Sequence, residues 1–161
     1  MDIEMGYSKN ILLVEDDPQD VELTLAALEE YRLGNQVAVV DNGAEALDYL
    51  YRRGKFTARA GGNPVVVLLD LKMPKVGGLE VLKAIKADEH LKVIPVVVLS
   101  SSRETPDLAE CYQHGVNAYV VKPVDFGEFM RAVKQLGIFW AAINEPPPNW
   151  QSQLSAVVSG V

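Results

Sequence analysis

Two stretches of this chain, PVVVLLD at 64–70 and PVVVLS at 95–100, are apolar at every position before a final polar residue, rather than at every second one. A strand with one wet face alternates apolar and polar side chains, so an unbroken run has to be covered on both faces. Covered strands of this kind belong to a parallel sheet with helices packed on each side. Parallel neighbours cannot be joined by a tight hairpin and need a crossover of a dozen or more residues, usually a helix.

The rest of the chain supplies those crossovers. NILLVE (10–15) is a first strand; Asp17-Pro18 after it reads as an N-cap with proline at the first helical position. Val21, Leu25 and Leu28 then recur at helical spacing until Gly34-Asn35. QVAVV (36–40) is a second strand, and Asp41-Asn42-Gly43 turns into a helix carrying Ala46, Leu47 and Leu50. RGKFTARAGGN (53–63) has no period and reads as an exposed loop before the third strand. Leu79, Leu82 and Ile85 mark a third helix, TPDLAECYQHG (105–115) a fourth, AYVVKP (118–123) a fifth strand and DFGEFMRAVKQLGIFWAAI a fifth helix. Five strand–helix repeats joined by right-handed crossovers predict an α/β doubly wound sheet of flavodoxin-like strand order 2-1-3-4-5. In that order the first and third strands are neighbours at the switch point, so Asp16 and Asp70 end side by side.

At 161 residues, 48% hydrophobic and 23% charged, the chain suits one globular domain. No apolar run reaches the roughly 18–20 residues that span a bilayer, and MDIEMGYSKN is too acidic for a secretory signal. A cytoplasmic location without membrane contact is expected. Cys111 is the one cysteine and reads as a small buried hydrophobe. A formal charge of −7 argues against nucleic acid, whose affinity for proteins rests on Lys and Arg.

The chemistry collects at the strand ends: Glu15-Asp16 after the first strand, Asp70 after the third, Ser100 after the fourth and Lys122-Pro123 after the fifth. Three carboxylates about 4–6 Å apart repel by roughly 4 kcal/mol per pair at an effective dielectric near 20, so something positive has to join them. A hard dication with oxygen ligands serves, and Mg²⁺ suits a site with one or two direct carboxylates and several waters. Carboxylate, dication, ammonium and hydroxyl are the parts needed to receive a phosphoryl group, with Asp70 as the nucleophile.

ILLVEDDP, VVVLLDLKMPKVGGLEVL, PVVVLSSS and AYVVKPV, in this order, resemble the receiver domain of two-component response regulators, a CheY-like fold, over roughly residues 9–140. The resemblance implies that Asp70 takes phosphate from a sensor histidine kinase or its relay. It implies that Asp16 binds Mg²⁺ directly, Glu15 through water, Asp70 alongside them and Lys72 by its backbone carbonyl. It further implies that Ser100 and Lys122 hold the phosphoryl oxygens, that Lys122–Pro123 is cis, and that Ser100 and Tyr119 form a switch pair. The serine is a departure at a position where threonine is usual. The long connection before the third strand, the ending VKPVDFGEFMRAVKQLGIFW and the lack of room for an output domain resemble the small stand-alone response regulators of bacterial phytochromes, so a bacteriophytochrome kinase is the implied partner.

The expected boundaries are an N-terminal extension at 1–8, the receiver domain at 9–143 and a poorly ordered proline-containing tail at 144–161. Phe139 and Trp140 read either as core or as aromatic anchors of a homodimer formed through helix four, strand five and helix five.

Blander readings exist for single residues. Asp17 reads as a helix cap, Asp20 as solvated helix surface, and His90 and His114 as solvated or capping residues without ligand spacing. A dehalogenase-like phosphatase would want an aspartate where Lys72 stands. A flavodoxin-like cofactor module would want a Ser, Thr and Gly loop where Glu15-Asp16-Asp17 would repel phosphate. A phosphorelay intermediate and a degenerate receiver acting only as a scaffold are the remaining alternatives.

Overall fold

The computed structural model describes residues 9–30, 36–148 and 150. Strands β1 (Ile11–Val14), β2 (Val37–Val40), β3 (Val66–Leu69), β4 (Val96–Ser100) and β5 (Ala118–Val121) alternate with helices α1 (Pro18–Glu29), α2 (Gly43–Tyr51), α3 (Gly78–Ala87), α4 (Thr105–Gln113) and α5 (Phe126–Ile138). A 3₁₀ turn at Gly54–Phe56 lies in the loop before β3, and α5 widens into a π-helical turn at Phe139–Ile143. The sheet is parallel throughout, in the order β2-β1-β3-β4-β5. The Gly34-Asn35 stop expected for α1 lies outside the described residues.

Every residue of β1, β3 and β4 is buried, as unalternated apolar runs require. Alternation along each strand splits the core into two layers. Leu12, Val14, Val67, Leu69, Val96 and Val98 pack with Ala46 and Leu50 of α2, Leu82 and Ile85 of α3 and Cys111 of α4. Ile11, Leu13, Val66, Leu68, Val97 and Leu99 pack on the other side with Ala27 and Leu28 of α1 and Phe129 and Val133 of α5. Cys111 is buried as expected.

The helix starts follow local chemistry. Asp17 accepts from the amides of Gln19 and Asp20, Asn42 from Glu45 and Asp125 from Glu128, each carboxylate or amide oxygen satisfying helical N–H groups that lack intrahelical partners. His114 is the C-cap of α4 and His90 is exposed. Beyond α5, Trp150 packs on the α1/α5 layer and its carbonyl accepts from Asn63 Nδ2 at 3.0 Å, next to the start of β3. The remainder of the expected tail, 151–161, lies outside the described residues. No helix among the described residues is long and apolar enough to cross a membrane.

Candidate functional site

Strand register brings the strand ends level. Val14 pairs with Leu69 on one side and Val40 on the other, so Glu15 and Asp70 leave the sheet at the same height. The amides confirm the alignment: Asp70 N donates to Val14 O and Glu15 N to Val40 O, both at 3.0 Å. Ser100 pairs with Val121, and Lys122 N donates to Ser100 O at 2.7 Å. Four segments far apart in sequence thus deliver their polar residues to one rim.

Carboxylate oxygens of Glu15, Asp16 and Asp70 all lie within 4.8 Å of one another. Glu15 is 3% and Asp70 9% exposed, while Asp16 faces solvent. At such separations each charged pair repels by at least about 3.5 kcal/mol at an effective dielectric of 20. Lys122 offsets part of this repulsion. Its Nζ donates to Glu15 Oε1 and Asp20 Oδ2, both at 2.8 Å, and stands 3.7 Å from Asp70 Oδ1. Asp20 is therefore not solvated helix surface. It sits in the first turn of α1, three residues after the Asp17 cap, where the helix start points its side chain back over the strand ends.

One ammonium touching three carboxylates, with Asp16 beside them, leaves the rim net negative. Burial pushes the Glu15 carboxyl up to about 7, with the Lys122 hydrogen bond opposing and the Asp70 charge reinforcing the rise. Burial likewise raises Asp70, against the pull of Lys122 and of the Lys72 and Leu71 amides. Burial acts to lower Lys122, but its hydrogen bonds to Asp20 and Glu15 and the Asp70 charge outweigh it and hold the ammonium above the ordinary lysine range. An all-oxygen, net-negative donor set with one solvent-facing member fits a hard divalent cation that keeps several waters.

Ser100 and Tyr119 belong to the other layer. Ser100 follows Val96 and Val98 in the alternation of β4, and Tyr119 packs against the α2/α3/α4 core. Ser100 is 1% exposed and its Oγ accepts from Ser102 N at 3.1 Å; Tyr119 OH donates to Ser102 O at 3.0 Å. Lys72 is exposed in the loop after β3. The Lys122–Pro123 bond is trans, contrary to the cis bond expected. An X–Pro bond prefers trans by about 0.5–1 kcal/mol, and Lys122 already reaches its three carboxylates in that form. Of the aromatic pair, Trp140 packs on the α1/α5 layer, whereas Phe139 is 44% exposed, its ring edge-on to Trp140 at 4.9 Å.

Two residues that hold the rim were not read from the sequence. Gly78 looks there like an ordinary turn residue, yet a Cβ on it would lie 2.2 Å from Asp70 O and 2.7 Å from Leu71 Cα. Its N–H donates to Leu71 O at 2.9 Å, so α3 begins pressed against the backbone that carries Asp70. Ser102, the last of three consecutive serines, joins Ser100 to Tyr119. The serine run itself was the available signal.

The response regulator receiver domain model matches residues 11–134, which contain every one of these rim residues. The chain belongs to the response regulator receiver family. Among curated relatives, the probable methanogenesis regulatory protein FilR2 of Methanothrix harundinacea is 40% identical over 85% of this chain and 86% of its own length. Response regulator Rcp1 of Synechocystis is 34% identical over 87% of this chain and 94% of its own length. The crystal structure of the Mn²⁺-bound form of Rcp1 superposes with TM-score 0.80 at 33% identity, covering 86% of this chain and 99% of that one. The bacteriophytochrome response regulator RtBRR is 55% identical, with TM-score 0.69 over 94% of this chain and 93% of its own. The protein is thus a receiver-domain response regulator related to phytochrome-associated regulators, a signalling protein rather than a conventional enzyme, and its Glu15–Asp16–Asp70 cluster can hold a metal ion. Family membership points to a histidine kinase as its partner.

Proposed function

We propose that Asp70 is the phosphoacceptor of this response regulator, that Mg²⁺ is the metal, and that a bacteriophytochrome histidine kinase is the donor. The observation that carries this reading is the position of Asp70, 9% exposed at the end of β3, with two further carboxylates within 4.8 Å and the Lys122 ammonium at 3.7 Å. A carboxylate so flanked is both available to a phosphorus atom and surrounded by groups that can neutralise the incoming oxygens.

In the transfer, an Asp70 carboxylate oxygen forms a bond to phosphorus while the bond from phosphorus to the kinase imidazole breaks. The electron pair stays on that nitrogen, and Asp70 carries an acyl phosphate. Lys122 supplies fixed positive charge to the phosphoryl group, and Ser100, whose Oγ accepts from the Ser102 amide, still has its O–H to donate. Asp16, Asp70, the Lys72 carbonyl and, through water, Glu15 would hold Mg²⁺, whose charge would help neutralise the phosphoryl oxygens. The domain then catalyses its own phosphorylation and slow dephosphorylation, and Ser100 and Tyr119 shift together because phosphate favours the arrangement that binds it better. Similarity to RtBRR and Rcp1 supports the light-sensing kinase as donor. A chain that only scaffolds other proteins would have no need to keep this constellation filled.

Phosphotransfer from candidate bacteriophytochrome kinases to wild type and to Asp70→Asn tests the reading. Label is expected on wild type in the presence of Mg²⁺ and to be absent from Asp70→Asn; equal labelling of the two proteins would refute it. In the same assay system, Asp16→Asn is expected to weaken Mg²⁺ binding about tenfold in a fluorescence or calorimetric titration, the loss of one direct charged ligand.

A homodimer through the α4–β5–α5 face belongs to the same proposal. Tyr112 and Phe126 are each 56% exposed on its two helices, and Phe139 adds an exposed ring at the end of α5. Phe139→Glu is expected to shift the protein to monomer in light scattering. A wild type that is already monomeric at high micromolar concentration, with and without beryllofluoride, would remove the dimer from the proposal.

A further inference from the structure

A lysine ammonium has three N–H groups, and Lys122 gives two of them to carboxylates from different elements. Glu15 Oε1, just after β1, and Asp20 Oδ2, in the first turn of α1, each accept at 2.8 Å. Asp70 Oδ1 stands at 3.7 Å, beyond hydrogen-bond reach, so one N–H remains for an incoming oxygen. Asp20 lies outside the group of three carboxylates that meet within 4.8 Å. Its side chain is 24% exposed, and its one side-chain partner among the described residues is Lys122. Through that shared ammonium, Asp20 Oδ2 and Asp70 Oδ1 are no more than about 6.5 Å apart, close enough for their charges to interact even through water.

We propose that Asp20 is a positioning residue of the rim which, through Lys122 and its own charge, strengthens binding of the divalent cation and weakens binding of the phosphoryl group. The inference rests on the reading of Asp70 as phosphoacceptor and deepens it. Its signs follow from charge alone. Asp20 adds one negative charge beside a site that has to take up both a cation and an anion. The dication is attracted by that charge. The phosphoryl group is repelled by it, and meets an ammonium already partly neutralised by Asp20. Phosphoryl uptake therefore depends more steeply on the metal than it would with Glu15, Asp16 and Asp70 as the only carboxylates. An acid in the first turn of a helix is also favoured by the helix dipole, a purely structural role. That role gives no reason for the two affinities to move in opposite directions.

Asp20→Asn keeps the shape of the side chain and removes its charge, whereas Asp20→Glu keeps the charge. Glu22→Gln removes an exposed charge two residues further along α1 and serves as the control. Mg²⁺ is titrated calorimetrically into each metal-free protein, and beryllofluoride is then titrated at saturating Mg²⁺. In Asp20→Asn, Mg²⁺ is expected to bind at least about threefold more weakly and beryllofluoride at least about threefold more tightly. That is the factor a unit charge at such a separation is worth even at the dielectric of water. Asp20→Glu and Glu22→Gln are expected to stay within about twofold of wild type for both ligands, the first because the charge remains and the second because solvent screens it. Affinities that move in the same direction in Asp20→Asn, as a loosened start of α1 would produce, overturn the proposal. So does a change below about twofold in either affinity, or an equal response from Glu22→Gln. If wild type binds Mg²⁺ but takes up no beryllofluoride, the phosphoacceptor reading fails together with the phosphoryl half of the proposal, and the Mg²⁺ affinities alone decide the cation half.

Discussion

Replacing Lys122 with methionine is expected to cost the metal-free protein about 3 kcal/mol of stability at pH 8, the low end of what is lost when one partner of a buried ion pair is removed. The ammonium is within 2.8 Å of both Glu15 and Asp20 and 3.7 Å from Asp70, so its loss leaves three carboxylates facing one another. The low end applies because Glu15 has an escape. Its carboxyl, already pushed up to about 7 by burial, can take up a proton instead of remaining charged. Stability held by a carboxyl whose folded pKa lies above its unfolded value of 4.5 is present at low pH and is lost as pH rises. The Lys122→Met deficit is therefore expected to be smaller at pH 6 than at pH 8. Mg²⁺ at saturating concentration is expected to return most of it, since a dication can supply the missing positive charge. Denaturant midpoints with EDTA and with Mg²⁺ at the two pH values measure all of this. A loss below about 1 kcal/mol at pH 8 would show that the cluster does not depend on Lys122.

Gly78→Ala is expected to destabilise the protein by more than about 2 kcal/mol, within the range for forced overpacking, and to slow phosphotransfer as well. The added methyl group would stand 2.2 Å from Asp70 O and 2.7 Å from Leu71 Cα, and both are backbone atoms that cannot swing aside. Either α3 moves off or the loop carrying Asp70 does. The neighbouring glycine is the control. A Cβ on Gly77 meets only Leu71 O, at an ordinary 3.7 Å, so Gly77→Ala is expected to cost less than about 1 kcal/mol, mainly as a poorer N-cap. Thermal or denaturant unfolding of the two variants separates close backbone approach from glycine content. Equal effects from the two substitutions would contradict the contact.

Much of the molecule was open to sequence reasoning because its signals are local. The unbroken apolar runs of β1, β3 and β4 demand cover on both faces, and the cap at Asp17 marks a helix start by a single side-chain oxygen. Once strand order is known, residues that end strands have to share a rim, so Glu15, Asp16, Asp70, Ser100 and Lys122 could be named without coordinates. The same logic separates core from surface on α3, where Leu82 and Ile85 are fully buried.

Residues that end a strand could be placed by counting; the groups they face could not. The pairing of Asp20 with Lys122, the convergence of Ser100 and Tyr119 on Ser102, the pressure of Gly78 on the Asp70 backbone and the return of Trp150 to Asn63 all depend on how helices and loops settle against the sheet. The trans bond at Lys122–Pro123 is of the same kind. A half-ångström displacement or a small helix rotation leaves every local propensity intact yet makes or breaks contacts shorter than 4 Å. Such displacements are fixed only when side chains from the whole chain close-pack at once.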